Sequence, residues 1–255
     1  KFMNDRTLGA EICNSEGELC CNMSYGTHTC IMQSGREYRD INPVWDYAHI
    51  PGTTTIEESD AELLARKNWV FAAHPNQCFG GAQNGRRAAI YELAQHDSTE
   101  ALVTHFAFED GYICLGAGIT DTSGLPLVTT VDQCWLTGNP AVTDRATVHN
   151  GIRYSALNGT VMDTAVREQV GSWRRNNAAL SDRPVKGEVL TLTISHPTGQ
   201  ESAYAYMISA ADTDEPSVEV LRNDRELQAI RLPDGSVMAV FHGDCSLTVS
   251  SDGEI

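Results

Sequence analysis

The most constraining feature of this chain is a two-residue side-chain period, broken at short intervals by turn residues. Ala101 to Phe108 alternates in this way, Glu109-Asp110-Gly111 supplies a turn, and Tyr112 to Leu115 resumes as a second strand. A helix, with 3.6 residues per turn, cannot place such a pattern on one face, whereas a strand must. Asn150-Gly151 and Asn158-Gly159 are the dipeptides that tight turns with positive φ select. Glu188–Ile194 and Ser202–Ile208 are rich in β-branched or aromatic residues and are flanked by Pro, Gly and Asp. Leu232-Pro233-Asp234-Gly235-Ser236 marks a further turn. The one clear helix signal is Ser59-Asp60-Ala61-Glu62, with capping-box spacing. Many strands and almost no helix predict a sandwich or barrel.

Composition bounds the rest. With 255 residues, the chain has room for one large β domain, or one domain and part of another. It is 41% hydrophobic and 20% charged, which reads as soluble and globular. No apolar run is long enough to span a bilayer. Eighteen Lys and Arg stand against 34 Asp and Glu, a net charge of −16. That balance disfavours nucleic acid, whose binding needs cations to displace phosphate counterions, and anionic membranes. The acidic, Pro-ended segment Ala210–Pro216 reads as a linker between residues 1–215 and residues 216–255. The chain starts at Lys1 and stops in a strand-like segment, so a piece of a longer protein is expected. Of the eight cysteines, no two form a C-x-x-C pair. Buried thiols are the expectation, with disulfides as the open alternative.

Most single motifs carry little chemistry. Leu115-Gly116-Ala117-Gly118 follows a strand but lacks the third glycine and the helix of a dinucleotide loop, so glycines at a strand bend are expected. The histidines are scattered, and no acidic loop has a Ca²⁺ ligand pattern. No cofactor is expected.

A set of collinear motifs is far more specific. Asn42-Pro43-Val44-Trp45-Asp46-Tyr47, followed by Ile50-Pro51-Gly52-Thr53-Thr54, resembles the signature of polysaccharide lyase family 8, which contains hyaluronate, chondroitin and xanthan lyases. The resemblance continues through Cys78-Phe79-Gly80-Gly81, Glu109–Ile119, Thr129–Gln133, Val148–Tyr154, Gly171–Asn177, Ala203–Met207 and Val218–Ile230. It implies an all-β fold: a large antiparallel super-sandwich of the galactose-mutarotase-like kind over 1–215, with the start of a small C-terminal β-sandwich over 216–255.

The resemblance also implies a reaction, β-elimination on an acidic polysaccharide, in a secreted protein, extracellular or periplasmic. The substrate carboxylate must be neutralised, a base must take the C5 proton, and an acid must reach the glycosidic oxygen. In the family those groups come from an N-terminal α/α toroid, whose motifs are absent from this sequence. The sandwich adds a supporting Glu and a substrate-facing Asn, which Glu11 and Asn14 match in the run Ala10–Gly17. The family's Ser before the Glu is Ala10 here, and its final Asn is Gly17. A solvated strand residue is the plain alternative for Glu11. Trp45 and Tyr47 are candidates to stack on sugar rings, or to fill a core. Arg36 and Arg39, or Arg174 and Arg175, are candidates to meet acidic groups, or ordinary surface. The competing functions are a non-catalytic carbohydrate-binding sandwich and a purely structural module. Net charge sets solubility and steering rather than the potential of one cleft. An acidic sandwich is therefore compatible with a polyanion gripped mainly by a basic toroid.

Overall fold

The strands at the centre of the molecule are buried on both faces, and this sets the layering. The computed structural model describes residues 10–11, 28–59, 61–62, 71–72, 79–96 and 98–249. In chain order its strands are β1 (Ala10–Glu11), β2 (Thr54–Ile56), β3 (Phe71–Ala72), β4 (Phe79–Gln83), β5 (Ala88–His96) and β6 (Thr99–Phe108). Next come β7 (Gly111–Asp121), β8 (Leu127–Trp135), β9 (Ala141–Val142), β10 (Ala146–His149), β11 (Ile152–Ala156) and β12 (Asp163–Gly171). The last are β13 (Val185–His196), β14 (Ser202–Ala210), β15 (Glu219–Asn223), β16 (Leu227–Arg231) and β17 (Val237–Phe241). Among the described residues every strand pair is antiparallel.

An eight-stranded sheet runs β4-β5-β6-β7-β14-β11-β10-β9, and a four-stranded sheet runs β12-β13-β8-β2. The main core lies between them. Val103, Cys114, Tyr154, Tyr204 and Tyr206 of the larger sheet meet Val131, Cys134, Leu190, Leu192 and Ile194 of the smaller. The three-stranded sheet β15-β16-β17 covers the other face of the larger sheet. There Ile230, Leu232 and Val240 pack on Phe106, Ile113, Leu115, Ala205 and Met207. Strand β7 thus carries a near-continuous buried run from Ile113 to Ile119 rather than a clean alternation. The outer face of the smaller sheet is covered at one end by the irregular segment 38–53, whose Ile41, Val44, Trp45, Tyr47 and Ile50 pack on Val189.

The turn chemistry is as the residue types require. Asn150 and Gly151 adopt φ of 48° and 76° between β10 and β11. Leu232–Ser236 turns between β16 and β17. Residues 211–218, which hold all of the acidic segment except Ala210 at the end of β14, form no strand. Ser59 and Glu62 make the reciprocal capping box. Ser59 N donates to Glu62 Oε2 at 2.7 Å, and Glu62 N donates to Ser59 Oγ at 3.4 Å.

The ladder between β8 and β13 is irregular at one point. Leu192 of β13 pairs with Asp132 of β8, but Thr193 pairs with Thr130, so Val131 is an extra residue in the ladder. Such a bulge inverts which side chains face inward. Thr129 and Val131 point into the core before it, and Asp132 and Cys134 after it. Gln133 and Trp135 point the other way, toward segment 38–53.

Candidate functional site

The segment that carries the most distinctive sequence is built to stay in place. Gln133 is fully buried and holds it from below. Its side-chain amide donates to the carbonyls of Asp46 (2.9 Å) and His49 (2.6 Å), and its Oε1 accepts from Asp46 N at 2.8 Å. Trp45 Nε1 donates to Gln133 O at 3.0 Å. At the far side, Arg175 Nη1 donates to Pro43 O (2.7 Å) and Nη2 to Trp45 O (3.2 Å). Asn176 donates to the Tyr47 hydroxyl. A Cβ on Gly171 would lie 1.8 Å from Pro43 O, so only glycine lets the end of β12 approach this closely. Gly171→Ala is therefore expected to cost about 2–3 kcal/mol, because segment 38–53 must lift from its seat. Denaturant unfolding checks this, and a change under ~0.5 kcal/mol would contradict the packing argument.

Charge inside the segment is paired locally. The His49 imidazole sits between Asp46 (2.9 Å) and Glu57 (3.5 Å). Burial disfavours its charged form, but the two carboxylates win and hold its pKa above the ordinary histidine value. Glu37 Oε1 accepts from Gln33 N, Ser34 N, Ser34 Oγ and Asn150 Nδ2 at 2.9 to 3.2 Å. Although burial opposes ionisation, the donors from Ser34 and Gln33, with its own backbone N–H, lower its carboxyl to about 2. Asp132, 1% exposed, accepts from the hydroxyls of Tyr38 (2.7 Å) and Tyr154 (2.5 Å).

The sequence candidates fall into distinct places. Glu11 lies on β1, opposite Phe71 of β3. Asn14 lies outside the described residues. Arg36 and Arg39 are exposed on the turn anchored by Glu37 and Tyr38. Arg39 faces Asp40 at 3.7 Å, and its carbonyl accepts from Trp135 Nε1 at 2.8 Å. Trp45 is corrected: it is 5% exposed and packed in the segment's own core, so no ring face is open to a sugar. Tyr47 is likewise fully buried. Of Arg174 and Arg175, the second is a structural clamp and the first is exposed. Cys30, Cys114, Cys134 and Cys245 are free thiols, the middle two buried. Cys13, Cys20, Cys21 and Cys78 lie outside the described residues. Among the described residues no group of three His, Cys, Asp or Glu side chains is placed to hold a metal ion, and no helix is long and apolar enough to cross a membrane.

Sequence reasoning missed the Tyr38–Asp132–Tyr154 cluster. Its signal was an Asp inside an otherwise apolar and threonine-rich strand, which only a partner or a bulge makes tolerable.

Residues 1–216 match the super-sandwich domain of polysaccharide lyase family 8. The chain belongs to that family. Chondroitinase-AC of Pedobacter heparinus is 29% identical over 276 residues, covering 98% of this chain and 39% of the relative. Hyaluronate lyase of Thermasporomyces composti is 26% identical over 230 residues, covering 75% of this chain and 28% of the relative. A solved chondroitinase AC lyase superposes with a TM-score of 0.83 at 28% identity, over 96% of this chain and 40% of that one. A Paenibacillus xanthan lyase shares the fold, with a TM-score of 0.78 at 18% identity over 95% of this chain and 27% of that one. This family 8 chain therefore spans well under half the length of these relatives. Its layers are those of the family's super-sandwich.

Proposed function

We propose that this super-sandwich is part of a polysaccharide lyase that cleaves a uronic-acid-containing polymer of the chondroitin or hyaluronan type by β-elimination. The carrying observation is the match to chondroitinase-AC along 98% of the chain. The proton-transferring groups belong to an N-terminal α/α toroid of the same protein. Glu11 supports them by orienting their charged side chains, and Asn14 faces the substrate. Arg36 and Arg39 stand on an anchored turn from which guanidinium groups can meet carboxylate or sulfate at little entropic cost. The enzyme works outside the cytoplasm, where a polymer too large to be imported is found. Residues 216–255 begin a C-terminal β-sandwich, and the sandwich alone lacks turnover.

The test is the ultraviolet absorbance of unsaturated uronate products, measured with the full-length protein on chondroitin and hyaluronan. Glu11→Ala is expected to lower kcat roughly 100-fold, the size of effect seen when one positioned catalytic contact is lost. Wild-type turnover in Glu11→Ala would remove the residue from the site. No product from any uronate polymer would defeat the lyase reading itself, and glycan binding without product would favour a binding module.

A further inference from the structure

Asp132 is the only carboxylate among the described residues that joins both main sheets and segment 28–39 at one point. It stands on β8, aimed inward by the bulge at Val131. Its Oδ2 accepts from Tyr154 on β11, in the larger sheet. Its Oδ1 accepts from Tyr38, whose hydroxyl also accepts from Ile31 N at 3.1 Å and so closes segment 28–39 on itself. No lysine or arginine among the described residues pairs with it. The groups facing it are Tyr38 and Cys30 from segment 28–39, Cys134 and the Gln133 backbone N–H from β8 and Tyr154 from β11, while Glu37 acts on the same Cys134 thiol.

We propose that Asp132 is a protonation-controlled latch: neutral, it holds segment 28–39 shut, and ionised, it favours opening of that segment to admit water. A buried carboxylate held by neutral donors alone, with no cation, is under-solvated even with the Gln133 backbone N–H and the Cys134 thiol beside the two tyrosines. Swinging Tyr38 outward hydrates it and releases the turn that carries Arg36 and Arg39. A neutral carboxyl keeps both tyrosines, accepting on one oxygen and donating from the other.

The direction follows from linkage. Burial pushes the Asp132 carboxyl up to about 6, against the pull of hydrogen bonds from Tyr154, Tyr38, the Gln133 backbone N–H and the Cys134 thiol. Hydrated in the open form, it returns toward the ordinary value of about 4. The closed form thus holds the proton more tightly. Its advantage is complete below about pH 4 and is lost as pH rises through about 6. Of the neighbours, Glu37 remains ionised through this window. Tyr38, Tyr154 and Cys134 are pushed up and stay protonated. His149 lies behind Cys134. Burial lowers its pKa, and its Nε2 is occupied by Thr137 N at 2.9 Å.

Amide hydrogen exchange on the full-length protein, read peptide by peptide and divided by the intrinsic rate at each pH, tests the latch. Protection of residues 28–39 is expected to fall roughly 50-fold from pH 4 to pH 7 in the wild type. It should stay within about threefold in Asp132→Asn, which retains His149 and every other titrating group. A flat wild-type profile, or an equal fall in Asp132→Asn, overturns the proposal. Tyr154→Phe is the second variant. It removes one donor but keeps the carboxylate, so the fall should move to higher pH, and an unmoved midpoint also overturns the proposal.

Discussion

A chain cut after Glu215 is expected to lose its cooperative unfolding transition. The residues removed form β15, β16 and β17, which lie flat on the larger sheet and bury Phe106, Ile113, Leu115 and Met207 with their own Ile230, Leu232 and Val240. At about 1.5–3 kcal/mol for each large side chain returned to water, the loss is on the order of 10 kcal/mol. That is comparable with the whole stability of a typical domain. The polar half of the contact is equally particular. The ladders of β7 with β6 and with β14 both shift register near Gly118, and the C-terminal sheet supplies donors to that stretch. Asn223 Nδ2 donates to Gly116 O (3.1 Å) and Tyr204 O (2.9 Å), Gln228 Nε2 to Leu115 O (3.0 Å), and Arg225 Nη2 to Gly118 O (3.1 Å). Arg87 adds ion pairs to Glu109 (3.0 Å) and Asp234 (2.7 Å) at the rim. Circular dichroism against temperature is the measurement. A truncated chain that melts within a few degrees of the intact one would show that the three-stranded sheet is an accessory.

Much of the fold was legible because strand period and turn chemistry are local. The Asn150-Gly151 turn needs nothing beyond its own two residues to be recognised, and the Ser59–Glu62 capping box is closed within four. What was not legible depends on which faces meet. Trp45 reads as a sugar platform or as core, since its ring suits both and core is only the commoner use of a large aromatic. Only the presence of Gln133 beneath it and Arg175 beside it decides for core. The Asp132 cluster was hidden for a similar reason. A strict two-residue period cannot place both Val131 and Asp132 in the interior, and the bulge that does so leaves no mark on composition. Glu11 was reached through family resemblance. Its position on β1 opposite Phe71 fixes its backbone, and its role is a matter for kinetics.

Gly116→Ala is expected to destabilise the domain by about 3–5 kcal/mol, among the largest effects of any single methyl group in this molecule. Gly116 lies on β7 directly opposite Tyr204 of β14 and Val103 of β6, so the strand cannot move without breaking two ladders. An added Cβ would sit 2.1 Å from Tyr204 Cε1 and 2.5 Å from its Cζ. The Tyr204 ring has no way to retreat. It is 2% exposed, stacks on Tyr206 with centroids 5.8 Å apart, and contacts Cys114 Sγ through its hydroxyl at 3.6 Å. The glycine is thus half of a complementary pair, a flat backbone on which a neighbouring tyrosine lies. The same geometry makes a second variant informative. If the clash with the ring is the cause, Tyr204→Leu in the Gly116→Ala background should recover about 1–2 kcal/mol, although Tyr204→Leu alone is destabilising. Strict additivity in that double-mutant cycle would mean that the cost of Gly116→Ala lies in the backbone and not in the ring. The sequence pairing of Leu115-Gly116-Ala117-Gly118 with Ala203-Tyr204-Ala205-Tyr206 would then need another explanation.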